Sequence, residues 1–225
     1  MEPKNPEQPF AEARQVEILI NNPHLTETET IAKCQSVLDF QPACVWVKPC
    51  YLQVVTQCLR RKGTLVGTVI GCPDGSNTTE IKVAEAKRAL MEGATRLAMP
   101  VNLGYARERR LEALFKDLHA ISGIAHMNGA GMEASFDPAY LNMDDILQIV
   151  QASLKAKVDT LSFPLDNALK IWDFTLVDLL NETLGGSIQL KGLIQQAGSS
   201  DLPEIFKRGL VCVGIRDFSF SQKGF

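Results

Sequence analysis

The stretch that decides the fold is Thr68-Val-Ile-Gly-Cys-Pro-Asp-Gly75, with its sequel Lys82-Val-Ala-Glu-Ala-Lys-Arg-Ala-Leu-Met-Glu-Gly-Ala94. The first part reads as a buried strand running into a sharp turn, since an apolar run gives way to Gly71, Pro73 and Gly75. The second part reads as an amphipathic helix. Asn77 stands where an N-cap belongs, with Glu80 completing a capping box, and Val83, Ala86 and Leu90 recur at helical spacing. Gly93 then ends the helix as a left-handed cap.

Outward from this unit the same alternation repeats. Apolar runs at 15–21, 43–48, 64–70, 96–101, 158–163, 187–193 and 211–215 read as strands, with a fifth in chain order near 131–136. Helical-period segments lie between them. One starts at about Asn142 and carries Ile146, Ile149, Val150 and Leu154; the next carries Ile171, Phe174, Leu176, Val177 and Leu180. Eight strands separated by helices predict an α/β fold of the (β/α)8 TIM barrel type, and no Gly-x-Gly-x-x-Gly follows the first strand to suggest a dinucleotide fold. The expected division is an N-terminal extension at 1–14, a barrel at 15–216 and a tail at 217–225. That tail is too short for a normal eighth helix. The strand 8/strand 1 side therefore needs cover from residues 1–14, from Phe218, Phe220 and Phe225, or from a protein partner.

With 225 residues, 45 % of them hydrophobic, and a net charge of -3, the chain can bury a full core and carries no electrostatic footprint for nucleic acid. The basic runs Arg60-Arg61-Lys62 and Arg107-Glu108-Arg109-Arg110 read as solvated faces. No apolar run is long enough to span a membrane, and the acid- and proline-bearing start lacks the features of a signal peptide. The six cysteines form no Cys-x-x-Cys or zinc spacing, so they read as reduced thiols of a cytoplasmic protein. The three histidines leave little material for a metal site, and no cofactor is implied. Cys44, Cys50 and Cys72 read as packing residues, Asp74 as a turn former and Asp137 as a loop cap.

The segment 68–94 resembles the third β/α unit of the 2-deoxyribose-5-phosphate aldolase family, and the resemblance extends over roughly 15–216. It implies a TIM barrel and, in the family, class I chemistry, in which a lysine amine attacks a carbonyl to form a Schiff base. The family's strand 6 segment resembles Gly-Ala-Asp-Phe-Ile-Lys-Thr-Ser-Thr-Gly. Here it is Lys157-Val-Asp-Thr-Leu-Ser-Phe-Pro, which matches the aspartate as Asp159 and puts Ser162 at the lysine position. On strand 4 the proton-relay aspartate becomes Ala98. The second family lysine, on strand 7, is retained as Lys191, but Gly192 is followed by Leu193 and Ile194, so the phosphate-receiving glycine pair is lost. The strand 8 phosphate segment becomes Gly214-Ile215-Arg216, in which Arg216 offers a replacement charge.

Two readings follow. In the first, the chain is a catalytically inactive aldolase-like barrel acting as a protein-binding, assembly or regulatory module. Its partner would engage the strand 8/strand 1 side, the C-terminal tail, or the mouth around Lys48, Lys191 and Arg216. In the second, it is an active class I aldolase that uses Lys191 or Lys48 on a phosphorylated or small aldehyde substrate. Beside these stands a third, in which the mouth is a small-molecule sensor that holds a phosphorylated or other anionic ligand without turnover. Lys191 can also be read as a buried relic paired with a carboxylate such as Asp166.

Overall fold

A computed structural model describes residues 15–60, 62–165, 174–195 and 202–216. The expectations placed on 1–14, on Asp166 and Ile171, and on the tail with its three phenylalanines lie outside those residues, as does whatever covers the strand 8/strand 1 side.

All eight expected strands form: β1 (Val16–Ile20), β2 (Cys44–Val47), β3 (Leu65–Val69), β4 (Arg96–Pro100), β5 (Gly131–Ser135), β6 (Thr160–Pro164), β7 (Gln189–Ile194) and β8 (Cys212–Ile215). They pair in chain order, all parallel, and β8 closes onto β1, so the sheet is a TIM barrel without edges. The helices between them are α1 (Glu27–Ser36), α2 (Leu52–Leu59), α3 (Thr79–Met91), α4 (Leu103–Arg107), α5 (Leu111–Met127), α6 (Met143–Ala156), α7 (Thr175–Leu184) and α8 (Leu202–Lys207).

Strand alternation sorts the side chains into two cores. One set, including Val16, Ile18, Leu97, Met132, Leu161 and Leu190, faces the helices and forms the main core. The other set points into the barrel, where Cys44, Trp46 and Ala98 pack with Leu19 and Val69 as a separate cluster. Glycines make room inside. A Cβ on Gly67 would come within 2.7 Å of the Trp46 ring, and one on Gly214 within 3.0 Å of Lys191 Cε.

The α3 unit departs from the sequence reading in two places. Thr78, not Asn77, is the N-cap, and the amide of Asn77 reaches Glu85 instead. Lys82 is completely buried between α3 and α5, its amine 2.6 Å from Asp117. Asp117 also accepts from Thr79. The stem of Lys82 lies against Gly71, whose N–H donates to Glu85 at 2.5 Å, so the turn after β3 is tied to its own helix. Gly75, at φ +70°, is needed there, because a Cβ would sit 2.1 Å from the Pro100 carbonyl oxygen. Farther on, Asn142 and Asp145 form a reciprocal capping box at the expected start of α6, but Leu154 is 39 % exposed and not part of its buried face.

Candidate functional site

At the C-terminal ends of the strands the barrel opens into a cavity of about 500 Å³. Its walls are largely apolar, with Trp46, Val69, Pro100, Phe136, Pro164 and Leu193 among them. The mouth is open.

The floor holds a charged cluster contributed by β1, β5 and β7. Lys191 is only 2 % exposed, with its Nζ 2.5 Å from Glu17 Oε2 and 2.8 Å from Glu133 Oε2. The Trp46 indole N–H donates to the same Glu17 oxygen at 2.6 Å. Glu133 and Lys191 line the cavity, whereas Glu17 is held back beneath them. Two carboxylates thus share one ammonium in a site removed from water.

Burial works against the charge on Lys191, but Glu133 and Glu17 outweigh it and hold the ammonium well above its ordinary range. Burial pushes the Glu133 carboxyl up; Lys191 pulls it back, and Glu17 adds to the rise. An amine held protonated has no lone pair for a carbonyl carbon, and imine formation needs the opposite arrangement, in which desolvation or a second cation neutralises the lysine.

The residues singled out in the sequence fall in several places. Ser162 is fully buried on β6, in register with Lys191 on β7. Among the described residues its hydroxyl makes no hydrogen bond of ordinary geometry, but it stands close enough to Glu133 to help hold that carboxyl down. Ala98 is part of the cavity wall. Arg216 stands at the rim, shared with a second cavity of about 520 Å³ that also reaches Lys33 and Asn22 on the β1 side. Lys48 does not join Lys191. Its amine donates to the Leu25 carbonyl at 2.6 Å, lies 4.7 Å from the centre of the Tyr51 ring, and takes no part in lining the mouth.

Asp74 is a turn former, accepting from Ser76 N at 3.1 Å and from Ser76 Oγ at 2.7 Å, and these bonds hold its carboxyl below the usual range. Asp137 accepts from Ala139 N at 2.9 Å as a loop cap. Both carboxylates nevertheless line the mouth. Of the three cysteines read as packing residues, Cys44 is buried, but Cys50 and Cys72 are exposed, and Cys72 borders the mouth. Among the described residues no group of three or more His, Cys, Asp or Glu could hold a metal ion. No described helix is long and apolar enough to cross a membrane.

Sequence reasoning missed Glu17, Glu133 and Trp46. The signal was present, since each carboxylate occupies an interior position of a strand whose other interior positions are apolar or small. Only barrel closure shows that both converge on Lys191.

No protein-family model matches the chain. It is 30 % identical over 149 residues to a deoxyribose-phosphate aldolase of Thermococcus kodakarensis, a match covering 65 % of this chain and 66 % of that protein. The matched part thus spans just under two thirds of that relative's length. A deoxyribose-phosphate aldolase of Metamycoplasma hominis is 25 % identical over 171 residues, covering 76 % of this chain and 77 % of the relative. Among solved structures, the deoxyribose phosphate aldolase of Aeropyrum pernix superposes with a TM-score of 0.79 at 21 % identity, covering 92 % of this chain and 87 % of the other. A protein described as QR15, an aldolase, gives 0.82 at 22 % identity, covering 90 % of each chain.

Proposed function

Taking the chain as a relative of the deoxyribose-phosphate aldolases in sequence and in fold, we propose that it is an aldolase-like barrel without Schiff-base chemistry, whose mouth binds a small ligand noncovalently as a binding or regulatory module. The observation that carries this reading is Lys191 clasped between Glu17 and Glu133; the sequence resemblance, which puts Ser162 at the family's nucleophile position, supports it. A serine hydroxyl forms no imine, and an ammonium shared by two carboxylates is not nucleophilic. The open cavity supports ligand binding, and Arg216 at its rim suits a phosphorylated or carboxylated compound.

Two measurements test it together. Incubation with acetaldehyde or sugar phosphates followed by borohydride should leave the protein mass unchanged, and a lysine adduct would overturn the reading. A thermal-shift screen with phosphorylated metabolites should find a stabilising ligand whose effect is lost in Arg216→Ala.

A second reading keeps the chain as an active class I aldolase working from Lys191. It is favoured by one observation: that lysine reaches the floor of an open cavity. The amine would first have to give up a proton that both carboxylates hold. The same borohydride experiment distinguishes the two, with an adduct mapping to Lys191 expected from the second.

A further inference from the structure

The floor cluster carries one more carboxylate than its ammonium needs. Glu17 is fixed by the Trp46 indole and lies outside the cavity lining, so its role is to neutralise Lys191. Glu133, 2.8 Å from the same nitrogen, does face the cavity. A charged N–H donor and a carboxylate thus stand side by side on the floor of a cavity with largely apolar walls.

We infer that Glu133 and Lys191 form a proton-transfer pair that enolises a small carbonyl compound held in the mouth, without a covalent intermediate. This rests on the noncovalent reading of the site and goes beyond it by assigning the site an activity. A lysine ammonium has three donors, two of which face Glu17 and Glu133, which leaves one for a carbonyl oxygen. An oxygen seated there brings its α C–H past the Glu133 carboxylate, within the roughly 3–3.5 Å that a reactive approach requires.

Glu133 takes the α-proton. The C–H electron pair becomes the C=C bond, and the carbonyl π pair moves onto the oxygen, where the Lys191 N–H stabilises the developing charge. Reversal returns a solvent-derived proton from Glu133 to carbon. Atoms and charge balance, and no oxidant or co-reactant is needed. The apolar walls lower the local dielectric and so strengthen both interactions. Unlike imine chemistry, this step needs Lys191 charged, which is the state the cluster imposes.

The experiment is hydrogen–deuterium exchange in D2O, with the full chain in an amine-free buffer and acetaldehyde, hydroxyacetone and dihydroxyacetone phosphate as probes. Loss of the α-proton signal is followed by NMR. Protein-dependent exchange is expected for at least one probe, falling about 10²–10⁴-fold in Glu133→Gln. Glu133→Asp should recover part of the rate. Glu133→Gln is nearly isosteric, and its thermal unfolding confirms that the fold is retained. Exchange no faster than that of Glu133→Gln for all three probes overturns the inference. If thermal shifts show a probe binding without exchange, the inference fails and the noncovalent binding reading stands. A borohydride adduct on Lys191 overturns both.

Discussion

The ammonium of Lys191 lies 4.3 Å from the ring centre of Trp46, and that indole's own N–H is committed to Glu17, the carboxylate 2.5 Å from the ammonium. The aromatic face and the acid are thus locked to each other before either touches the lysine. A cation over a ring and beside a hydrogen-bonded carboxylate is held in one place and one charge state.

Lys191→Met should therefore expose the cost of the two carboxylates. Breaking a buried pair by removing one partner costs about 3–5 kcal/mol, because the remaining charge is left uncompensated. Urea unfolding at pH 8 should show a loss of that size. At pH 5 the loss should be smaller, since without the ammonium that pulls its carboxyl down Glu133 gains a proton more readily and the native state is relieved of that charge. A loss that does not depend on pH would mean the lysine contributes packing alone.

Glu133→Gln isolates the titration of one buried acid. The carboxyl is raised above the 4.5 of an ordinary glutamate, chiefly by burial, so the folded protein holds this proton more tightly than the unfolded chain. The stability it contributes is fully present below 4.5 and is lost as the pH climbs through the raised value. The melting temperature of the wild type relative to Glu133→Gln should accordingly rise as pH falls from 8 towards 4.5. The opposite slope would show that Lys191 outweighs burial.

Gly67→Ala places a methyl group within 2.7–2.9 Å of three Trp46 ring atoms, and that ring is held by its hydrogen bond to Glu17. Overpacking of this kind costs about 1–3 kcal/mol. Denaturant titration should find such a loss, and a double-mutant cycle with Trp46→Leu should be strongly non-additive, because the smaller side chain vacates the space. Additive losses would place the strain elsewhere.

Thiol reactivity should follow burial. Cys50 and Cys58 are exposed and should alkylate first with iodoacetamide at pH 8. Cys72 is exposed too, but partial burial, Glu85 and Asp74 raise its thiol, so it should react more slowly. Burial pushes Cys34 up to about 12 and Cys44 well above its ordinary value, so these two should react only on unfolding, while Cys212, half-buried and also raised, should react after Cys72. Peptide mass mapping over time gives the order directly.

Much of the fold was legible because strand alternation and helical spacing are local. The apolar runs at 43–48 and 64–70 became β2 and β3 with a residue trimmed at each end. Asn142 capped α6 as expected. Where local signals competed, tertiary contacts decided. Asn77 and Thr78 are both good caps, and the helix began after Thr78, with Thr79 bonded to Asp117 on α5. Lys82 would pass for a solvated residue on any helical wheel, yet it is fully buried because Asp117 lies opposite it. Lys48, at the end of an interior strand, gave every sequence indication of belonging to the mouth, but loop carbonyls from Pro23 and Leu25 draw its amine away.

What this sequence determined by itself was the order of strands and helices and a resemblance to the deoxyribose-phosphate aldolases. Each of those follows from residues close together in the chain. The tertiary structure alone decided that Lys191 meets Glu17 and Glu133, that these two hold its ammonium charged, and that, among the described residues, a cavity opens above it. Glu133 and Lys191 are 58 residues apart, and only closure of a parallel barrel brings β1, β5 and β7 around one point. The charge state of a buried amine depends on what surrounds it in space, and no local pattern encodes that.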